Sequence, residues 1–424
     1  MSERRVAVIG GGIAGLVAAY RLKGRGRVHL FERSPRLGGH VQAVTMTLPN
    51  GRPMAVETGF LAFHRSHYPE LAALLDAFGI ETAPSGVGLG IWDEATGWVF
   101  DNHQWFDMFG DRLPAEGRRH FADLIKRMFR HADRPDAGFI PNVRLDAFLA
   151  ERGYDESIAR HVLWPSISAL WGFQPHEIMA MSAVTVADSL NRFFITHHEE
   201  PFSRLAPSTD PWLATLTGSL DATVETGTPV WGLRIDGDGV VVRTAGGEAR
   251  FDAAIVATHA DQALRLLDAP TDAQRRVLGA FPYNRTTSVV HTDTSMLPAD
   301  RAQWRDYNYR ARTGPDGVRA LTTWHMNALQ GFESDPPVLV TVGPRGWDKG
   351  VVAEERVIAR IDYAHPASPP EAVAARTELA AIAHEGPVYF CGSYFGSTGS
   401  NECAVASATR AAEALLARRS EEQE

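Results

Sequence analysis

A glycine-rich segment near the start of the chain has the spacing of a dinucleotide-binding turn. Residues 10–15 fit the pattern GxGxxG and read Gly10-Gly11-Gly12-Ile13-Ala14-Gly15. The first glycine permits a tight turn, Gly12 lets backbone N–H groups approach a diphosphate, and Gly15 lets the following helix pack on the strand. Glu32 lies 22 residues after Gly10, where a carboxylate accepts hydrogen bonds from ribose hydroxyls. These residues predict a dinucleotide site and do not distinguish NAD from FAD.

The hydrophobic pattern predicts the elements that position this turn. Residues 6–9 form a short, continuous apolar run, which is typical of a strand buried on both faces, and residues 13–22 predict a helix. A second strand is predicted over residues 28–32. The glycine turn therefore stands between a strand and a helix, at the opening of a βαβ unit.

The middle of the chain, roughly residues 67–205, is mostly helical in pattern and suits a substrate-binding cap. Helices are predicted at 67–79, 114–131, 155–170 and 182–194. This region carries an aromatic set that indicates either an enclosed apolar substrate pocket or simple helix packing, namely Trp164, Trp171, Phe173, Phe193 and Phe194.

Strand patterns dominate the second half of the chain. A hairpin is predicted over 229–244, followed by strands at 251–258, 285–291, 319–325, 337–342 and 388–391 and by helices at 371–382 and 402–418. No internal repeat or linker-like segment separates these elements. We therefore expect domains that are interleaved in sequence.

Composition excludes several classes of protein. The 424 residues carry a net charge of −9 and no dense Lys/Arg block, so no nucleic-acid partner is expected. The longest apolar run has about 15 residues, short of the roughly 20 that a membrane span needs. Cys391 and Cys403 are the only cysteines, which argues against a disulfide framework and favours a cytoplasmic location. No metal site is expected, and residues 197–200 (His-His-Glu-Glu) are interpreted as a polar loop.

The residues after Glu32 resemble a known flavoprotein segment. Arg33-Ser34-Pro35-Arg36-Leu37-Gly38-Gly39 is similar to the RxGG segment of the flavin amine oxidase, phytoene desaturase and protoporphyrinogen oxidase superfamily. The resemblance implies FAD as the cofactor, with Arg36 pairing with phosphate and the two glycines letting the backbone pass close to the flavin.

The resemblance extends along nearly the whole chain. Within the superfamily, the chain is most similar to a bacterial group of NAD/FAD-binding proteins, through residues 56–60 (VETGF, for that group's VDTGF), 68–71, 257–263 (ATHADQA), 291–293, 326–330 and 365–366. It implies an α/β fold in which a Rossmann-like FAD-binding domain of the glutathione reductase type is interleaved with an α+β substrate-binding domain. The expected FAD-binding segments are 1–80, 210–275 and 380–424, and the expected substrate-binding segments are 81–209 and 276–379.

The end of the chain resembles the second FAD segment of the superfamily, in which a helix N-terminus meets the flavin and stabilises its anionic reduced form. Here Cys403 and Ala408 stand where the superfamily usually has glycine. The resemblance implies cofactor contacts by the GxGxxG turn, Glu32 and the RxGG segment. It also implies contacts by Thr58, Gly59, Phe60, Val230, Gly392, Glu402, Cys403, Ala404 and Val405.

The chemistry expected is hydride transfer to flavin N5. GxGxxG does not recur after another strand, so electrons are expected to come from a small apolar substrate and to leave to oxygen or another acceptor. In many members of the superfamily a lysine contacts N5 through water, and none of the three lysines lies in a matching motif, which disfavours amine oxidation. Among the histidines in motif-like segments (His64, His259, His291, His325, His365), His325 is the first choice for a catalytic residue. Trp324, Tyr394 and Trp171 are the expected substrate-pocket residues.

The sequence thus predicts an FAD-dependent oxidoreductase that dehydrogenates or desaturates an apolar small molecule, at a C–C rather than a C–N bond. Three alternatives remain open at this point. The protein could be a redox-neutral flavin isomerase or cyclase of an unsaturated acyl or polyketide-like compound, an amine oxidase, or a flavoprotein that binds a partner or lipid without catalysis.

Overall fold

The computed structural model describes residues 4–95, 97–102, 113–192, 201–315, 317–384 and 386–421. The expectations for Phe193, Phe194 and residues 197–200 lie outside these ranges. The strands in chain order are β1 (Arg5–Ile9), β2 (Arg27–Phe31), β3 (Ala43–Thr47), β4 (Pro53–Glu57), β5 (Thr82–Pro84), β6 (Leu89–Asp93), β7 (Trp98–Asn102), β8 (Ser203–Leu205), β9 (Ala222–Glu225), β10 (Gly232–Asp236), β11 (Gly239–Thr244), β12 (Gly247–Phe251), β13 (Ala253–Val256), β14 (Tyr283–His291), β15 (Tyr307–Gly314), β16 (Gly317–His325), β17 (Leu339–Pro344), β18 (Val357–Pro366) and β19 (Val388–Phe390).

The α-helices of the described residues are α1 (Ile13–Arg21), α2 (Pro69–Ala77), α3 (Ala115–Asp133), α4 (Leu145–Glu151), α5 (Glu156–Ile158), α6 (Trp164–Trp171), α7 (Pro175–Ala180), α8 (Ala183–Leu190), α9 (Asp210–Gly218), α10 (Ala260–Leu266), α11 (Asp272–Leu278), α12 (Met326–Gln330), α13 (Pro370–Ile382) and α14 (Asn401–Glu421). A π-helical turn, Ala159–Leu163, joins α5 to α6, so the helix predicted over 155–170 is present but not regular.

A five-stranded parallel sheet carries the glycine turn. Its order is β19-β13-β1-β2-β9, with β1 at the centre. Alternate residues of β1 face two layers. Val6 and Val8 pack into a core with α1 and α14, whereas Ala7 and Ile9 pack into one with the β10–β12 sheet and α10, α11 and α13. Burial on both faces explains why β1 is a continuous apolar run, and the Rossmann-like α/β fold is confirmed.

The other large sheet has seven strands and is mixed. Its order is β18-β14-β17-β16-β15-β6-β7, antiparallel except for the parallel pair β15 and β6. Helix α6 packs on β15 and β16 and buries Ile167 among the apolar side chains of this sheet. The described part of residues 67–205 is mostly helical, as expected, but it also contains strands β5 to β8, which the sequence analysis did not predict. Strand β15, the parallel partner of β6, lies more than 200 residues away in sequence, and local patterns do not show such partners.

The two sheets use different stretches of the chain. All strands of the parallel sheet fall within 1–80, 210–275 and 380–424, and all strands of the mixed sheet fall within 81–209 and 276–379. The domain boundaries themselves stay a prediction. Within the described ranges, no helix combines the length and apolar character that crossing a membrane requires.

Candidate cofactor and substrate cavity

A cavity of about 920 Å³ is lined by residues from both sheets. The carboxyl end of β1 and the glycine turn form one part of its wall, and β14, β16 and β18 contribute residues from the mixed sheet. This is the edge at which parallel α/β sheets bind ligands. The cavity therefore extends from the predicted dinucleotide site to the mixed sheet.

The three motif glycines have different reasons to be glycine. Gly10 has a φ of +105°, a conformation that L side chains rarely adopt. A Cβ at Gly15 would lie 1.8 Å from the carbonyl oxygen of Gly10, so only glycine lets α1 pack this closely on β1. A Cβ at Gly12 would meet nothing nearer than the Cα of Gly39, at 3.9 Å. Space beside Gly12 is thus left for a ligand, as close approach of a diphosphate to the backbone requires.

Glu32 lines the cavity and also shapes the turn. Its Oε2 accepts from the backbone N–H of Gly11 (2.6 Å), and its Oε1 accepts from that of Ser34 (2.7 Å). A carboxylate offers about four lone-pair sites. Two acceptor sites therefore remain for ribose hydroxyls, so the residue fits its predicted role.

The RxGG segment divides into cavity residues and packing residues. Arg33, Arg36 and Gly39 line the cavity. The Arg36 guanidinium donates to the carbonyl oxygens of Leu37 (3.0 Å) and Gly39 (2.6 Å) and to the side chain of Gln42, which fixes its position. Leu37 and Gly38 are not among the lining residues. The Gly38 N–H donates to the Gly11 carbonyl (2.8 Å) and so holds the segment against the glycine turn.

Residues 58–60 follow the same division. Gly59 and Phe60 line the cavity, and so does Val230, which lies between β9 and β10 in the chain. Thr58 is buried behind them, where its hydroxyl donates to the Gln42 carbonyl (2.9 Å) and bonds to the Tyr363 hydroxyl (2.8 Å). Thr58 thus positions its neighbours and does not itself line the cavity.

Helix α14 begins at the cavity, with Asn401 and Ala404 in the lining next to Gly392. Three predicted cofactor residues of this helix point elsewhere. The Glu402 carboxylate accepts from the backbone N–H groups of Glu70 (3.1 Å) and Leu71 (3.0 Å), so it caps α2. Cys403 packs against Gly396 with its sulfur 3.4 Å from two hydroxyls, and Val405 is fully buried in the core. Helical periodicity turns 402, 403 and 405 away from the lining.

Four aromatic side chains of the cavity wall form what we call the aromatic chamber. They are Tyr68, Trp171 of α6, Tyr307 of β15 and Trp324 of β16, and Tyr394 lines the wall near Gly392. Trp324 is 6% exposed, and its indole Nε1 has no hydrogen-bond partner within the described part of the chain. The Tyr394 hydroxyl is in the same situation. Because both residues line the cavity, both donors are available to a molecule bound there.

His325 lies outside this cavity, contrary to the expectation that it lies near the flavin. Successive side chains of a strand point to opposite faces, and Trp324 takes the cavity side of β16. His325 instead lines a separate cleft with Trp304 and Asp306. Of the other candidate histidines, His259 and His365 line the main cavity, whereas His64 and His291 do not.

His40 is a cavity residue that the sequence analysis missed. It directly follows the RxGG segment, so its position beside the glycine turn could have been inferred. Its Nε2 lies 3.1 Å from the carbonyl oxygen of Ala364 on β18, which ties the turn to the mixed sheet.

The lining carries more arginines than acidic residues. Its acidic residues are Glu32, Asp261 and Asp362, and its arginines are Arg33, Arg36, Arg265, Arg285 and Arg345. Asp261 pairs with Arg265 (2.9 Å) and Asp362 pairs with Arg345 (3.1 Å). None of the three lysines of the chain is in the lining, and all three are exposed. The arginine excess suits a diphosphate. Among the described residues, no three His, Cys, Asp or Glu side chains are arranged so that they could hold a metal ion.

Comparisons with known proteins agree with this arrangement. A model of the family described as flavin containing amine oxidoreductase matches residues 13–328. Carotenoid phi-ring synthase from Streptomyces griseus is 48% identical over 64 residues, which cover 15% of this chain and only 12% of that protein.

Two solved structures share the fold over nearly the full chain. A variant of putrescine oxidase with redesigned cofactor binding has a TM-score of 0.72 at 17% identity and covers 98% of this chain and 99% of its own. A fatty acid isomerase from P. acnes that produces CLA has a TM-score of 0.71 at 15% identity and covers 98% of both chains. Identities this low show the fold alone.

The family match spans about three quarters of the chain, and the glycine turn, the RxGG segment and the start of α14 converge on one cavity as a flavin nucleotide requires. The chain therefore belongs to the flavin containing amine oxidoreductase family, and its cofactor is FAD.

Proposed function

We propose that this protein is an FAD-dependent oxidoreductase that dehydrogenates an apolar small molecule at a C–C bond. The observation that carries the proposal is the continuity of one cavity, with a dinucleotide turn in one part and an aromatic chamber in another. FAD supplies the hydride acceptor at its N5 atom, and the protein supplies placement and dielectric. Electrons then leave to oxygen or to another acceptor.

We assign the cofactor to the lining residues of the nucleotide part of the cavity. Those predicted from sequence are Gly10, Gly12, Ile13, Ala14, Glu32, Arg33, Arg36, Gly39, Gly59, Phe60, Val230, Gly392 and Ala404. The other residues predicted from sequence do not line the cavity and act by packing or hydrogen bonding elsewhere in the fold, namely Gly15, Leu37, Gly38, Thr58, Glu402, Cys403 and Val405. The interleaved segments given above are the proposed FAD-binding and substrate-binding domains.

The chamber favours an apolar substrate over an amine. An amine is cationic at neutral pH and needs a carboxylate or a ring of partial negative charge when it leaves water. Each acidic residue of the lining already has partners: Glu32 accepts from two backbone N–H groups, Asp261 pairs with Arg265, and Asp362 pairs with Arg345. Leu170 and Trp171 of α6 and Tyr307 and Trp324 of the mixed sheet present carbon-rich surface. Burying such surface against a carbon chain contributes about 25 cal/mol per Å². The substrate we propose is an unsaturated acyl or similarly apolar compound.

The side chains at the chamber wall orient the substrate and exclude water. Tyr68 bonds to the Ser400 side chain, and burial raises the pKa of its phenol, so Tyr68 stays protonated. The unpartnered Nε1 of Trp324 is the donor we expect to bond to the substrate or to the cofactor. Because Cys391 and Cys403 are both free thiols, we propose a reducing, cytoplasmic location.

Anaerobic titration of the FAD-loaded protein tests the substrate class. We expect an unsaturated acyl compound to bleach the flavin absorbance and an aliphatic amine to leave it unchanged. Bleaching by amines alone would overturn the proposal in favour of amine oxidation. Conversion of the acyl compound with no net reduction and no oxygen consumption would replace it with redox-neutral isomerisation.

Trp324→Phe tests the role of the chamber. Loss of one buried hydrogen bond, about 0.5–1.5 kcal/mol, should weaken substrate or FAD binding about 2- to 10-fold. Trp304→Phe is the matched control, because Trp304 lines the separate cleft and its Nε1 donates to the Pro298 carbonyl (2.8 Å). Equal effects of the two substitutions on binding would argue against the assignment of the chamber.

A further inference from the structure

Three histidines from three separate segments meet in the cavity. His40 follows Gly39, His259 follows β13, and His365 lies near the end of β18. The ring centroid of His40 is 5.1 Å from that of His365 and 5.9 Å from that of His259. The parallel sheet thus provides His259, the mixed sheet provides His365, and His40 lies between them.

The cluster lies beside the glycine turn. Gly39, which precedes His40, has its Cα 3.9 Å from the position of a Gly12 Cβ. On the other side, the carbonyl oxygen of Ala257 lies 2.8 Å from the position of a Gly10 Cβ, and His259 follows two residues later. The backbone segments that carry His40 and His259 therefore flank the turn at which a diphosphate approaches the main chain.

We propose that His40, His259 and His365 form a proton-coupled anion site for the diphosphate of FAD, in which binding of the cofactor adds a proton to the imidazole cluster. The inference rests on the FAD site of the proposed function. It adds three residues that neither the GxGxxG turn nor the RxGG segment contains, and it adds a dependence of cofactor affinity on pH.

Electrostatics of the cluster support proton uptake. In the protein without cofactor, the pKa of His40 and that of His259 are lowered to about 4, and the pKa of His365 is well below its ordinary value. Burial is the largest cause of all three shifts. Their proximity to one another acts in the same direction. All three are thus neutral at neutral pH. A neighbouring diphosphate favours the charged form of an imidazole and raises its pKa.

Other charged and titratable groups face the cluster from each packed element. Arg36 acts on His40 from the RxGG segment, while Arg33, Arg265 and Asp261 act on His259. The phenol rings of Tyr283 and Tyr363 complete the surroundings, with Tyr283 stacked on His259 at 4.3 Å between centroids and Tyr363 at 5.0 Å from His40. The arginines oppose protonation of the free cluster, and a diphosphate offsets their charge.

A purely structural role makes a different prediction. The Nε2 of His40 lies within hydrogen-bond distance of the Ala364 carbonyl, and His259 stacks on Tyr283, so the histidines could serve packing alone. If the histidines served packing alone, ligand binding would not depend on the charge of the ligand, and the protein would neither release nor take up a proton. Proton uptake on binding therefore separates the two roles.

The test is titration of the flavin-free full-length chain with FAD at several pH values from about 6 to about 8. By linkage, uptake of one proton strengthens binding about tenfold for each unit by which the pH falls, and uptake of half a proton about threefold. Calorimetry in two buffers of different ionisation enthalpy counts the protons directly. ADP-ribose, which keeps the diphosphate, should show the same dependence, and riboflavin, which lacks it, should not.

Variants assign the effect to the cluster. His365→Gln and His40→Gln keep an amide at the ring position and cannot be protonated there, so each should reduce both the pH dependence and the proton count. His176→Gln is the control, because His176 is exposed on α7 and is not among the lining residues; it should behave as the wild type.

The outcomes separate this inference from the proposed function. FAD binding with an affinity independent of pH, or with no proton uptake, would overturn the histidine site and leave the FAD site intact. A pH dependence that persists unchanged in both variants would overturn it as well. Absence of FAD binding at every pH would instead contradict the cofactor assignment itself.

Discussion

Alanine substitution at two glycines of the turn should separate folding from cofactor binding. A Cβ at Gly15 would lie 1.8 Å from the Gly10 carbonyl oxygen, so α1 must move away from β1. Overpacking of this kind costs about 1–3 kcal/mol. We therefore expect Gly15→Ala to lower the free energy of unfolding of the flavin-free protein by that amount.

Gly12→Ala should have the opposite profile. Gly12 has ordinary extended dihedral angles (φ −73°, ψ 178°) and open space where its Cβ would stand, so the free protein tolerates alanine. As the N-cap of α1, alanine is less favourable than glycine, and the reduced entropy of the unfolded chain offsets much of that loss. Unfolding free energy should change by less than about 1 kcal/mol. In the complex with FAD, the added methyl group crowds the diphosphate, so we expect FAD binding to weaken about 10- to 100-fold.

Urea unfolding of the flavin-free chain and titration with FAD measure the two effects. Gly218→Ala is the control, because Gly218 ends α9, has nothing within 4 Å of its Cβ position and is not among the lining residues. It should change neither quantity appreciably. Wild-type FAD affinity in Gly12→Ala would refute the placement of the diphosphate at this turn, and wild-type stability in Gly15→Ala would refute the steric argument.

Three further predictions concern groups outside the turn. Burial raises the pKa of Glu57 to about 8, despite the hydrogen bonds that it accepts from Thr209. Between about pH 4.5 and about pH 8 the folded state therefore keeps a proton on Glu57 that the unfolded state loses, so the free energy of unfolding should fall as the pH rises through this range. Glu57→Gln should flatten that dependence in urea titrations, and an unchanged slope would exclude Glu57 as its source. Glu402→Ala should cost about 0.5–2 kcal/mol of stability through the lost cap with FAD affinity retained, and Glu413→Ala on the exposed face of the same helix is its control; loss of FAD binding instead would restore a cofactor role. His325→Gln should leave the rate of flavin reduction by substrate unchanged in stopped-flow measurements, and a large decrease would show that the separate cleft takes part in catalysis.

Where the physical cause was local, the sequence was sufficient. The spacing of Gly10, Gly12 and Gly15 follows from backbone sterics within one strand-turn-helix unit, and the apolar run of β1 follows from burial on both faces. The interleaved order of the two sheets could also be expected, because strand patterns of the second half of the chain have no linker between them. These features need no knowledge of distant partners.

Tertiary structure decided which side chains of each element face the cavity. On β16, alternation makes either Trp324 or His325 a lining residue, and the packing of α6 against the sheet selects Trp324. On α14, Glu402 caps α2 because that helix begins beside it. The histidine cluster draws on segments more than 200 residues apart. Spacing predicts a dinucleotide site, and the resemblance of residues 33–39 to a flavoprotein segment indicates FAD. The chamber and the histidine cluster exist only once the two sheets pack together, because no local pattern records a long-range contact.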